Sequence, residues 1–268
     1  MIKSINGATF RRMILSGTKL LSNNKEYVDS LNVFPVPDGD TGTNMSLTMA
    51  SAAREVSECT SNSMSLLCSA LSKGALKGAR GNSGVITSQI IKGITDVLSS
   101  KEEFTAKDFA QALVKGTDVA YKAVTKPKEG TILSVVRAMS EAATSINKRN
   151  VDFQGFLDKV IEAGEEMLKK TPDMLPVLKK AGVVDAGGRG LLILFQGFSA
   201  VLSDNEDVVL SFDDAAAVKA EDAKYSEEAH FDYNDLAEIQ YAYCTEFFII
   251  NLYKKTTEAD IDRFRETL

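Results

Sequence analysis

The sequence predicts an all-α block over residues 1–203, built from eight or nine helices. Three observations carry this. Apolar residues recur at helical spacing throughout the block. No convincing period-two alternation of a half-buried strand interrupts them. Four connections, at 38–44, 78–84, 126–131 and 185–190, end in Gly, Ser, Thr or Asp immediately before an apolar helix.

Taken in order, residues 3–31 read as helical through Ile5, Met13, Ile14, Leu20 and Leu21, with a break at Asn23-Asn24 before Tyr27 and Leu31. Pro35 and Pro37 then hold the chain extended. A helix runs from about Thr43 to Glu58, and Ser63 can cap the next, which stops at Lys77-Gly78. The turn Gly78 to Gly84 opens an apolar helix bearing Val85, Ile86, Ile90, Ile91 and Ile94. Thr105 with Asp108 resembles a capping box for the helix carrying Phe109 and Leu113. Another helix opens at Thr131, and a further one is marked by Phe153, Phe156 and Leu157. Pro172 suits the first turn of a short helix bearing Leu175, Val177 and Leu178. Val183 to Gly190 leads into the last apolar helix, Leu191 to about Leu202. In an up-and-down bundle alternate connections share one end, so several helix N-termini face one place.

The 268 residues are more than most single domains hold, and 44% are hydrophobic. No apolar run reaches the ~18 residues of a membrane span, so stable membrane insertion is not expected. Met1 to Gly7 lacks the apolar core of a signal peptide. Cys59, Cys68 and Cys244 show neither metal-type spacing nor the even count of a disulfide framework. A reduced, cytoplasmic protein is the expectation. The net charge of −6 is uneven: residues 204–235 carry eleven acids and two bases, whereas residues 1–203 carry twenty acids and twenty-five bases. The first block suits an anionic ligand. No basic stripe with interleaved aromatics exists, which argues against nucleic acid. Residues 204–235 read as an acidic linker. Residues 236–268, with a β-rich stretch from Tyr243 to Leu252 and a helix after Thr257, read as the start of an incomplete α+β middle domain.

The chemistry concentrates in Asp38-Gly39-Asp40-Thr41-Gly42-Thr43-Asn44. Two carboxylates one residue apart converge readily around a glycine in a kinked loop, and they attract a hard cation. A helix start attracts anions. A metal-bound polyphosphate meets both demands, although Asp-Gly is also an ordinary turn dipeptide. An EF-hand does not fit, because the twelfth position from Asp38 is Met49 rather than Glu. The Gly78 to Gly84 turn lacks the Gly-Lys-Ser/Thr of a P-loop and follows no strand, as a dinucleotide fingerprint would. It reads either as a plain connection or as Ser83 and Gly84 N–H groups facing phosphate. Arg80 reads as a phosphate contact or, more simply, a surface ion pair. Asp185 to Gly190 reads as a close approach to a ligand or as a hinge. His230 is the single histidine, which excludes histidine triads and His-rich metal sites within this chain.

Leu31 to Met45, Gly78 to Gly84, Glu129-Gly130-Thr131-Ile132-Leu133 and Val184 to Gly188 together resemble the nucleotide-binding domain of the dihydroxyacetone kinase L-subunit type. More narrowly they resemble the ATP-binding subunit of bacterial fatty acid kinase. The resemblance implies a barrel of antiparallel helices holding ATP and two Mg2+ at one end. It implies that Asp38 and Asp40 bind the metals and carry catalysis. Thr41, Gly42, Thr43, Asn44, Ser83 and Gly84 would hold the phosphates; Gly130, Thr131, Asp185, Ala186 and Gly187 would border the nucleoside. The dihydroxyacetone enzymes carry a third metal-binding Asp at the position of Val33, and Asn32 is the nearest polar substitute.

The resemblance also implies a separate fatty-acid-binding carrier protein, an acyl phosphate product and a homodimer formed through later domains. The alternatives are a small-polyol kinase subunit of the dihydroxyacetone type and a non-catalytic nucleotide-binding module. Every nucleotide motif lies before residue 190. A chain ending near Asp204 is therefore expected to bind Mg·ATP by calorimetry yet form no acyl phosphate with a loaded carrier. Full transfer activity would refute that division, and so would absent binding.

Overall fold

The computed structural model describes residues 2–146 and 152–203. The linker read at 204–235 and the strand and helix read at 236–268 lie outside the described residues. Described elements run β1 (Ser4–Asn6), α1 (Gly7–Asn23), α2 (Lys25–Ser30), α3 (Thr41–Glu58), α4 (Met64–Gly78), α5 (Gly81–Leu98), β2 (Glu103–Thr105), α6 (Ala106–Ala123), α7 (Ile132–Ser145), α8 (Phe153–Met174), α9 (Pro176–Ala181) and α10 (Ala186–Ala200). Among the described residues the fold is thus helical apart from one small ladder.

Eight helices close a ring. α1 packs on α3, α3 on α4, α4 on α5, and so on through α6, α7 and α8 to α10, which returns to α1. Their directions follow from which ends touch. β1 and β2 pair antiparallel, Ser4 opposite Thr105, so α1 and α6 start side by side. Phe153 N donates to Ile2 O at 2.8 Å, bringing the start of α8 to the same end. Gly7 abuts the Asn62 carbonyl just before α4. α1, α4, α6 and α8 therefore begin at one end, and α3, α5, α7 and α10 begin at the other. The first end is plugged by aromatics: Phe104 meets Phe10 at 5.4 Å and Phe109 and Phe153 at 5.7 Å between ring centroids. The second end carries the loops singled out above.

Local chemistry explains several boundaries, although Ser63 stands before α4 without a side-chain cap bond. Asn6 caps α1 by accepting from Thr9 N at 2.9 Å. Thr105 and Asp108 form a reciprocal capping box on α6, as the sequence predicts. Three expectations need correction. No strand is legible before residue 203, yet β1 and β2 exist. Each has three residues with one buried, Ile5 and Phe104, too few for alternation to register. Pro172 does not open the short helix; it lies inside α8. A proline there has no N–H for the carbonyl four residues earlier, that of Leu168. The Thr171 hydroxyl donates to that carbonyl instead, at 2.7 Å. Pro176 opens α9. Finally, α10 starts at Ala186, so its glycines belong to the helix rather than to a hinge.

Where the ring is tightest, small residues face each other. A Cβ on Gly93 of α5 would lie 2.5 Å from Gly116 Cα of α6. Backbone has no rotamer with which to yield. Gly93→Val should therefore destabilise the domain by about 1–3 kcal/mol in urea melts; an unchanged midpoint would refute this contact.

Candidate functional site

The loop between α2 and α3 is fixed by one amide. Asn32 is buried. Its oxygen accepts from Thr41 Oγ1 at 2.6 Å, and its nitrogen donates to Asp38 Oδ1 at 2.7 Å and Val36 O at 3.0 Å. The structure thus places Asn32 with both ends of its amide engaged, orienting Asp38. Val33 is half-buried against the core.

Asp38 and Asp40 lie close enough to act on each other electrostatically. Burial first, then Asp38 and Asp29, raise the Asp40 carboxyl above its ordinary range, against a lowering hydrogen bond from Asn44. The described residues show no ion pair for Asp38 or Asp40. Asp40 stands at the N-cap of α3 but makes no side-chain cap. That place is taken by Asp29, in α2, which accepts from Thr43 N at 2.9 Å and Thr43 Oγ1 at 2.7 Å. Thr43 therefore has both its donors on Asp29. Sequence reading missed Asp29. Its partner Thr43 lies fourteen residues on, so no local pattern marks it.

α5 starts against this loop. Gly81 lies against the Asn44 side chain, and Ser83 Oγ donates to Thr41 O at 3.5 Å. Arg80 occupies the N-cap of α5 without capping it. Its guanidinium is exposed and donates to Ala79 O at 3.2 Å, and the described residues show no ion pair for it. Gly84 N already donates to Arg80 O at 2.9 Å. A Cβ on Gly84 would strike Thr48 Oγ1, so its smallness is used for packing α5 on α3. The N–H groups left facing outward at this helix start are those of Gly81, Asn82 and Ser83.

The other two loops also meet. Asp185 is fully buried, and it caps its own helix through Gly188 N at 2.7 Å while also accepting from Ile132 N of α7. One carboxylate therefore ties two helix starts together. Its own N–H donates to Thr171 Oγ1 at 3.1 Å. Ala186 is buried as the first residue of α10, and Gly187 lies against Ile132. Thr131 caps α7 through Leu133 N. Gly130, at φ 83°, donates to Ser134 Oγ at 2.8 Å. Ser134 in turn donates to Glu129 at 2.5 Å, and Arg137 grips the same carboxylate with two bonds of 2.7 Å. The two pairs of loops are joined where Gly190 of α10 packs on Met45 of α3. All four helix starts therefore share one end.

The donor set fits a small hard cation. Mg2+ takes one or two protein carboxylates and completes its shell with phosphate oxygens and water. Two adjacent carboxylates with no ion pair among the described residues match that need. No group of three or more His, Cys, Asp or Glu side chains is arranged to hold a metal among the described residues. No described helix is long and apolar enough to cross a membrane.

Comparison with known proteins gives three kinds of match. The DAK2 domain model matches residues 35–200. Protein YloV of Bacillus subtilis is 44% identical over 271 residues, covering all of this chain and 48% of the relative. Uncharacterized protein SSP1546 of Staphylococcus saprophyticus is 40% identical, again over all of this chain and 48% of the relative. The chain thus spans about half the length of these curated relatives. The dihydroxyacetone kinase from C. freundii, solved in complex with AMP-PNP and Mg2+, superposes with a TM-score of 0.53 at 17% identity. That match covers 74% of this chain and 35% of the kinase, and it shows a shared fold.

Burial pushes the Asp185 carboxyl up to about 6, against the lowering effect of Gly188 N–H and Ile132 N–H. The folded state then holds this proton more tightly than the unfolded chain, whose Asp titrates near ~3.9. The contribution favours folding below pH ~4 and is lost as pH rises through about 6. Relative to Asp185→Asn, the wild type should lose on the order of 2 kcal/mol between pH 4 and pH 7. Urea melts across that range check it; a pH-independent difference would sink the assignment.

Proposed function

The chain belongs to the DAK2 domain family, and from that premise we propose that it is the Mg·ATP-binding part of a kinase subunit that phosphorylates a fatty acid carboxylate held by a separate carrier protein. The observation that carries the nucleotide reading is the pairing of Asp38 and Asp40, with no ion pair among the described residues, beside the start of α5, which Arg80 does not cap. The solved relative's complex with AMP-PNP and Mg2+ supports it.

In this reading Asp38 and Asp40 would hold Mg2+, two ions in our proposal, beside the phosphates. Bound Mg2+ supplies charge neutralisation of the triphosphate. The N–H groups at the starts of α3 and α5, together with Asn44 and Ser83, orient the phosphates. The loops at Gly130-Thr131 and Asp185 to Gly187 border the nucleoside. An acceptor carboxylate oxygen attacks the γ-phosphorus in line while the bond to the β–γ bridging oxygen breaks, leaving ADP and an acyl phosphate. A fatty carboxylate is already ionised at pH 7, so no general base is required. Positioning and electrostatics carry such a reaction.

A polyol acceptor of the dihydroxyacetone type is the second reading, favoured by the name of the solved relative. A nucleotide-binding module without transfer is a third. Carrier docking and homodimer formation belong, in our proposal, to the longer protein that the curated relatives represent.

Asp38→Ala and Asp40→Ala should each lower Mg·AMP-PNP affinity at least tenfold in calorimetry and abolish transfer, with the helical circular-dichroism signal retained. Unchanged affinity in both variants would remove the metal assignment. Acyl phosphate formed only with loaded carrier, and no dihydroxyacetone phosphate, would select the fatty acid acceptor over the other two readings.

A further inference from the structure

Resting on the metal reading above, we infer that Asp29 is a positioning residue that caps α3 in place of Asp40 and so leaves the Asp40 carboxylate turned toward the cation. An aspartate at an N-cap ordinarily has an extended backbone and lays its carboxylate over the N–H groups of the second and third helical residues. Asp40 does neither. Its φ of −123° and ψ of 2° lie outside the extended region, and its side chain makes no cap. Its side chain lies close enough to Asp38 and Asn44 for them to act on it electrostatically.

The third residue of α3 is Thr43, and both of its donors go to Asp29, one to each carboxylate oxygen, at 2.9 and 2.7 Å. The cap therefore comes from the preceding helix. Gly42 makes this geometry possible, because a Cβ there would collide with the Lys25 carbonyl at the start of α2. α2 presses directly on the first turn of α3 and delivers Asp29 to Thr43.

Without Asp29, the Thr43 N–H would have Asp40 as its nearest acceptor. Capping and cation binding would then compete for one carboxylate. A side chain one step behind a ligand typically affects metal affinity by roughly 10–100-fold when removed. Direct ligation by Asp29 is the rival reading, and the two differ in what an amide can replace. The Asn oxygen still accepts from Thr43 N, but its neutral amide is a poor substitute for an anionic metal ligand.

The experiment measures Mn2+ binding by electron paramagnetic resonance on the full chain with saturating AMP-PNP, well below the melting midpoint of each protein. Asp29→Ala is expected to weaken Mn2+ about tenfold or more, and Asp29→Asn to recover most of that loss. Thermal melts run alongside, and Asp29→Asn keeps the test decisive should the alanine variant fold poorly. An alanine variant with wild-type Mn2+ affinity overturns the proposal. So does an asparagine variant as weak as Asp40→Ala, which would make Asp29 a ligand. Wild-type Mn2+ affinity in Asp40→Ala would instead remove the metal reading itself, an outcome separate from either Asp29 result.

Discussion

Alternating helix directions around a closed ring of eight force four N-termini to one end, and the site follows from that constraint. Each helix start brings unpaired N–H groups and a partial positive charge. Four of them side by side would repel and would leave donors without acceptors. The molecule answers with aspartates. Asp185 accepts from two helix starts at once, those of α7 and α10. Asp29 serves α3 from outside that helix. The start of α5 has no such partner among the described side chains. Asp38 and Asp40 are then surplus to capping, and their mutual repulsion calls for a cation. The anion and cation sites we propose at this end thus have one origin in the topology.

The opposite end shows what the same ring looks like without that demand. There the four starting helices are closed over by phenylalanines and by the β1–β2 ladder. Caps are local: Asn6 on α1 and Thr105 with Asp108 on α6. A domain with a dry aromatic floor and a polar roof keeps its rigidity away from its ligand. The tight α1–α10 crossing, where Gly17 and Gly197 leave room for backbone to approach backbone, adds to that rigidity.

Much of this was legible in the sequence, and the misses have physical causes. Helical spacing, the four loops and the capping box at Thr105 are local signals, and all four loops gather as the up-and-down argument requires. The ladder was not legible because three residues cannot show a period. Pro172 misled because a proline signals a helix start only when its missing N–H goes unneeded, and the Thr171 hydroxyl replaces that N–H inside α8. Gly84 stayed open between phosphate contact and plain connection because sequence cannot separate a glycine that admits a ligand from one that admits a neighbouring helix, as it does here against Thr48. Asp29 was invisible for a related reason. Its partner, Thr43, is fourteen residues on, and nothing in α2 alone hints that its last turn caps another helix.

The caps also sort the four helix starts by function. α7 and α10 are satisfied by Thr131 and Asp185, which belong to their own chains of approach. Such starts have little left to offer a charged ligand, and they suit the neutral part of a nucleotide. α3 and α5 stand at Asp40 and Arg80, neither of which folds back to cap. Their first N–H groups point where an anion is favoured. A ligand with a neutral head and an anionic tail would therefore lie in one direction across this end, its charge toward Asp38 and Asp40 and its head toward Gly130 and Gly187. An uncapped start costs stability in any protein, since a missing N-cap is worth about 0.5–2 kcal/mol. The start of α3, capped only from α2, and that of α5, with no side-chain cap of its own, both lie beside Asp38 and Asp40, and that juxtaposition is the physical argument that something anionic completes them.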